Sequence, residues 1–172
     1  THVNLTNHSY WNLEKIKKNM IYNHELKLNS NKYLQINKDL IPTGKTKSIK
    51  NSIYDFLKFQ NLGKKLNFFK NKKIDLKHKG FDTTYIVKKN SRNFVGSLKN
   101  KNSNIQVNFF SNLPGVQLYL NQNLNYKKKL FPYHGICLET QYFPDTPNKK
   151  NFPSTLIKAN KRYTCFTKIK IY

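Results

Sequence analysis

Gly135-Ile136-Cys137-Leu138-Glu139-Thr140-Gln141 alternates large aliphatic side chains with others, which is the period of a β-strand. A strand here sends Ile136 and Leu138 into packing and turns Cys137 and Glu139 to the opposite face. Glu139 is the residue such a strand has to explain. The chain holds 8 acidic residues against 32 basic ones, and a carboxylate in an apolar β run is costly unless a partner or a ligand uses it. An ion pair with a nearby lysine and a functional carboxylate are both open at this point.

The same period recurs on either side of that run. In Val116-Gln117-Leu118-Tyr119-Leu120 the three aliphatics face one way, so Gln117 and Tyr119 share the other face. An amide beside a flat ring suits a sugar, whose hydroxyls and C–H faces need both. Gly80-Phe81-Asp82-Thr83-Thr84-Tyr85-Ile86-Val87 sets an acid just before a β-branched and aromatic run, where turn chemistry would serve equally well. Residues 94–98 and 105–110 flank a polar connection and read as a hairpin. His24, Leu26 and Leu28 are in phase, with Tyr33 and Leu34 following an Asn-Ser-Asn turn, and residues 163–172 alternate with Cys165, Thr167, Ile169 and Ile171 in phase.

At the start, Val3 and Leu5 share one face of a first strand, which ends in Asn7, His8, Ser9, Tyr10 and Trp11, the composition of a ligand-facing rim. Proline and glycine place turns at 40–44, 113–115, 143–148 and 151–154. Residues 45–80 give no clear period and read mostly as loop, with at most a short helical turn. Many short strands with Pro, Gly and Asn between them define an all-β chain, an antiparallel β-sandwich or barrel.

The formal charge is +24, a balance that ordinarily suggests nucleic acid or an anionic surface. Arg92 and Arg162 are the only arginines, however, and guanidinium forks are the usual readers of phosphates and bases. The lysines are scattered in pairs and triplets among asparagines, and a drift toward A/T-rich codons accounts for them without a partner. Cys137 and Cys165 lie far apart, without metal-ligand spacing, and read as buried free thiols. No leader and no run of 18 apolar residues is visible, which points to the cytoplasm. Two glycosylation triplets, at Asn4 and Asn7, match a pattern that is frequent by chance.

Asn4-Leu5-Thr6-Asn7-His8-Ser9-Tyr10-Trp11-Asn12-Leu13 is similar to the signature of the aldose 1-epimerases, the galactose mutarotases. The resemblance continues in order through Tyr33 to Gly44, Phe81-Asp82, Pro114-Gly115-Val116-Gln117-Leu118-Tyr119, residues 135–141, Phe143-Pro144-Asp145 and Asn151-Phe152-Pro153-Ser154. It implies a large antiparallel β-sandwich of which residues 1–172 are a single partial domain, the C-terminal half. It also implies that His8 is the general acid, Glu139 the general base, and Asp82 and Gln117 ligands of sugar hydroxyls. The family's second site histidine and its substrate-binding arginine belong to the N-terminal half, which is the expected partner of this chain. Trp11 stands where the family often has Phe.

The implied reaction interconverts the α and β anomers of free hexoses such as galactose or glucose. A base takes the proton of the anomeric hydroxyl while an acid protonates the ring oxygen on the other side of the bond, and the roles reverse after rotation. No redox step is involved, and no metal or other cofactor is expected. The alternatives are a catalytically silent carbohydrate-binding protein of the same fold, a relative acting on hexose 6-phosphates, and, on charge alone, a binder of nucleic acid.

Overall fold

Strands that are aliphatic on one face must bury that face, and here they do so between two sheets. The computed structural model describes residues 1–16, 19–71, 80–120 and 132–172. In chain order they form β1 (Tyr10–Trp11), β2 (His24–Leu28), β3 (Ser30–Ile36), β4 (Pro42–Ser48), β5 (Gln60–Asn61), helix α1 (Leu62–Asn71), β6 (Asp82–Val87), β7 (Phe94–Asn100), β8 (Ile105–Ser111), β9 (Gly115–Leu120), β10 (Ile136–Gln141) and β11 (Thr167–Ile171). One sheet has the order β1-β10-β9-β6-β3-β4 and the other β11-β8-β7-β2-β5, and every pairing among the described strands is antiparallel. Leu26, Leu28, Leu98, Val107 and Phe109 of the second sheet share one buried core with Tyr85, Leu118, Ile136 and Leu138 of the first.

Within the second sheet the backbones of β7 and β2 leave no room for a side chain at Gly96, which pairs with Leu28. A Cβ on Gly96 would lie 2.6 Å from the Lys27 carbonyl oxygen and 2.9 Å from Leu28 Cδ2, so backbone as well as side chain would have to move. Gly96→Ala is expected to cost about 1–3 kcal/mol, the usual range for overpacking a close contact. Urea unfolding measures it, and an unchanged midpoint would show that the strands can separate freely there.

Several expectations change. The first strand does not form over Val3 and Leu5. Leu5 is 61% exposed, and the segment is tied down mainly by single contacts: the Val3 N–H to the Thr155 carbonyl at 3.0 Å, Asn4 to the Tyr142 backbone and Thr6 Oγ1 to the Thr140 carbonyl. Pro42 and Gly44 lie in β4 rather than in a turn. That strand is a sheet edge, where a missing N–H is tolerated, and the turn falls earlier, where Asn37 Oδ1 accepts from the N–H groups of Asp39 and Ile41.

Residues 45–80 are the largest departure, because they contain a 10-residue helix. Leu62, Leu66 and Phe69 are buried at helical spacing, and Asn61 caps the first turn by accepting from the Lys64 N–H at 2.9 Å. Phe56 and Phe69 close around Phe81 with ring centroids 5.2 and 5.0 Å away. That anchors the residue immediately before Asp82. At the far end only residues 167–171 of the closing run form a strand, and Cys165 is partly exposed rather than buried. The lysine triplet at 127–129 lies outside the described residues.

Candidate active site

Register turns the alternation of four strands into a surface. β10 pairs with β9 so that Cys137 faces Tyr119 and Glu139 faces Gln117, while β9 pairs with β6 so that Tyr119 faces Asp82 and Gln117 faces Thr84. β1 adds Tyr10 opposite Cys137. Side chains of paired residues point to the same side of a sheet, so two neighbouring rows result: Tyr10, Cys137, Tyr119 and Asp82 in one, Glu139, Gln117 and Thr84 in the next. Ile136, Leu138 and Leu118 project from the other side into the core. The rows therefore lie on the face turned away from the second sheet.

All four residues singled out in the sequence, His8, Asp82, Gln117 and Glu139, meet on this face around an open depression of about 430 Å³. His8, just before β1, lies over the rows with its ring 5.2 Å from Tyr10 and 5.9 Å from Tyr119. Its Nε2 is 3.5 Å from Glu139 Oε1, and the carboxylate side chain is only 9% exposed against 50% for the imidazole. Among the described residues the ion-pair partner of Glu139 is this histidine and not a lysine, in contrast to Glu25, which pairs with Lys99 and Lys101. The two groups touch rather than face each other across a groove. The two oxygens they would serve are bonded to one carbon, so neighbouring groups can reach both from one side.

Burial pushes the Glu139 carboxyl above the ordinary glutamate range; the imidazole of His8 pulls it back and the nearby charge of Asp82 pushes it further up. Burial likewise pushes the Cys137 thiol up to about 12, with Glu139 adding to the effect. Asp82 is in the strand rather than in a turn. Its Oδ1 accepts from Gln117 Nε2 at 2.5 Å, and Gln117 Oε1 accepts from the Thr84 hydroxyl. The amide is thus held from both ends, with its orientation fixed.

Tyr10 was read in the sequence as part of a ligand-facing rim, whereas Thr84 and Cys137 were not singled out as site residues; the parity of their strands is the signal that could have found them. Trp11, read as part of the rim, turns inward and packs edge-on against Phe109 with centroids 5.6 Å apart. Larger depressions of about 630 Å³ beside Phe110 and about 460 Å³ beside Arg162 are lined by neither a carboxylate nor an imidazole.

The fold is that of the galactose mutarotase-like β-sandwiches. An aldose epimerase homologue from C. elegans superposes with a TM-score of 0.81 at 22% identity, covering 99% of this chain and 50% of that one. A galactose 1-epimerase from Lactobacillus acidophilus gives 0.73 at 20% identity, over 99% and 49%. The family model for aldose 1-epimerase matches residues 1–170, and the chain belongs to that family. Galactose mutarotase from Pongo abelii is 34% identical over 95% of this chain and 48% of its own, and aldose 1-epimerase from Haemophilus influenzae is 29% identical over 99% and 51%. The chain spans about half the length of the relatives it matches. No helix among the described residues is long and apolar enough to cross a membrane.

Proposed function

We propose that this chain carries the acid–base half of an aldose 1-epimerase site that interconverts the anomers of free hexoses such as galactose or glucose. The observation that carries the reading is the contact between the exposed imidazole of His8 and the buried carboxylate of Glu139, beside the fixed Asp82–Gln117 pair. Glu139 takes the proton of the anomeric hydroxyl, the bond from the anomeric carbon to the ring oxygen breaks, and that oxygen takes a proton from His8. Rotation of the freed aldehyde and the reverse transfers close the other anomer. Burial suits Glu139 to this role, because a carboxylate with a raised pKa is a stronger base. In this reading the second histidine and the arginine implied by the family resemblance complete the site from the other half of the sandwich, and the protein works in the cytoplasm.

Asp82 and Gln117 bind sugar hydroxyls. Asp82→Ala removes a charged acceptor and frees one end of the Gln117 amide, so KM is expected to rise by about 10- to 100-fold, the equivalent of one hydrogen bond to a charged group. Initial rates over a range of galactose concentrations test this, and an unchanged KM with lowered turnover would contradict it.

Polarimetry on freshly dissolved α-galactose tests the function itself. The rotation should decay faster in proportion to added protein. Binding of the sugar with no faster decay would make the chain a silent carbohydrate binder.

A further inference from the structure

We propose that His8, Cys137 and Glu139 form a site for a thiophilic divalent cation of the Zn²⁺ class, and that filling it shuts the sugar site. Cys137 and Glu139 are two residues apart on β10, so strand parity sends the thiol and the carboxylate out of the same face, and the ring of His8 lies over both. Taking one ligand atom from each residue, all three lie within 4.8 Å of one another. The edge between Cys137 Sγ and His8 Nδ1 is already 3.6 Å. Bond lengths of about 2.3 Å to sulfur and about 2.0–2.2 Å to nitrogen and oxygen in a tetrahedron place ligand atoms about 3.4–3.6 Å apart. A cation therefore needs only a small inward movement of the remaining groups, and the half-exposed imidazole is free to supply it.

The donor set selects the ion. One sulfur, one nitrogen and one carboxylate oxygen suit Zn²⁺ or Co²⁺, while Mg²⁺ and Ca²⁺ take oxygen ligands and gain little from a thiol. Three protein ligands leave a fourth position open toward the depression, as in exchangeable rather than closed zinc sites. On binding, the thiol loses its proton to solvent, a metal–sulfur bond forms, and no oxidation state changes. The ion occupies the imidazole and the carboxylate together, so it acts as an inhibitor and not as a cofactor; this consequence, unlike the site, rests on the function proposed above.

Titration of the purified protein with Co²⁺ tests the site without reference to activity. A near-ultraviolet thiolate-to-cobalt charge-transfer band is expected for the natural sequence and for Cys165→Ser, and its loss in both Cys137→Ser and Cys137→Ala. No band, or a band that survives both Cys137 substitutions, overturns the site whatever the protein does to sugars. Zn²⁺ should displace the cobalt and slow mutarotation over the same concentrations. Measured against its own rate without metal, Cys137→Ser should need at least about 10-fold more Zn²⁺ for the same fractional inhibition. A cobalt band that Zn²⁺ displaces while mutarotation continues unchanged would leave the cation site standing and overturn its blocking of the sugar site. Absence of mutarotation in a protein that shows the band would count against the proposed function alone.

Discussion

Under the proposed function, Glu139→Gln is expected to lower the turnover of mutarotation by about 10²- to 10⁴-fold, the range over which one positioned proton transfer contributes. The amide matches the carboxylate in size and can still meet His8, but it cannot take the proton of the anomeric hydroxyl. Folding gives no competing explanation, because the replaced side chain is 9% exposed and a neutral group is easier to bury there than a charged one. His8→Gln is expected to fail in the same direction through loss of the proton donor. The carboxyl is raised by burial, so the acid limb of kcat/KM should lie above the range of an ordinary glutamate. Polarimetric rates with saturating sugar decide the matter: near-natural turnover in either variant removes that residue from the mechanism.

Acid weakens the fold through a different histidine. His24 is fully buried, its Nε2 accepts from the Leu13 N–H at 2.7 Å, and this places the ring proton on Nδ1. Burial lowers its pKa from 6.5 to about 4, a shift that the charge of Glu14 and the Ile21 carbonyl only partly offset. The unfolded chain therefore binds this proton first as pH falls. Stability from this group is complete above about pH 6.5 and declines as pH falls toward 4, by about 3 kcal/mol over that window. Below pH 4 both states carry the proton and the decline stops. Urea midpoints of the natural sequence and His24→Gln, compared from pH 7 to 4, isolate this contribution. The difference between the two proteins should shrink as pH falls, and a constant difference would mean that His24 does not titrate in the window.

Glu139 and Gln117 of the candidate site were legible because β9 and β10 each alternate over a full strand, whereas the roles of His8 and Asp82 came only from the family resemblance. Once Ile136, Leu138 and Leu118 are assigned to the core, Glu139 and Gln117 have only one face left. What local sequence does not carry is register. Nothing near Cys137 says that Tyr10 and Tyr119 will flank it, and nothing near Thr84 says that its hydroxyl will hold Gln117. Counting spacings between cysteines and histidines missed the Cys137 cluster for the same reason: His8 is 129 residues away along the chain.

Helix α1 was obscured by its composition. Leu62, Leu66 and Phe69 hold it to the core, but Lys64, Lys65, Asn67 and Phe68 between them blur the apolar stripe on which a helical reading depends. The opening segment failed for the opposite reason. Its two-residue period is real, yet Asn4 and Thr6 hold it with side-chain contacts to the backbone of residues 140 and 142, and no ladder forms.

A crystal structure with galactose would show where a bound hexose places its anomeric carbon. The anomeric oxygen is expected within about 2.6–3.2 Å of a Glu139 carboxylate oxygen, and the ring oxygen within the same reach of His8 Nε2. A hexose seated elsewhere, or one that turns its anomeric carbon away from both side chains, would contradict the proposed roles of Glu139 and His8.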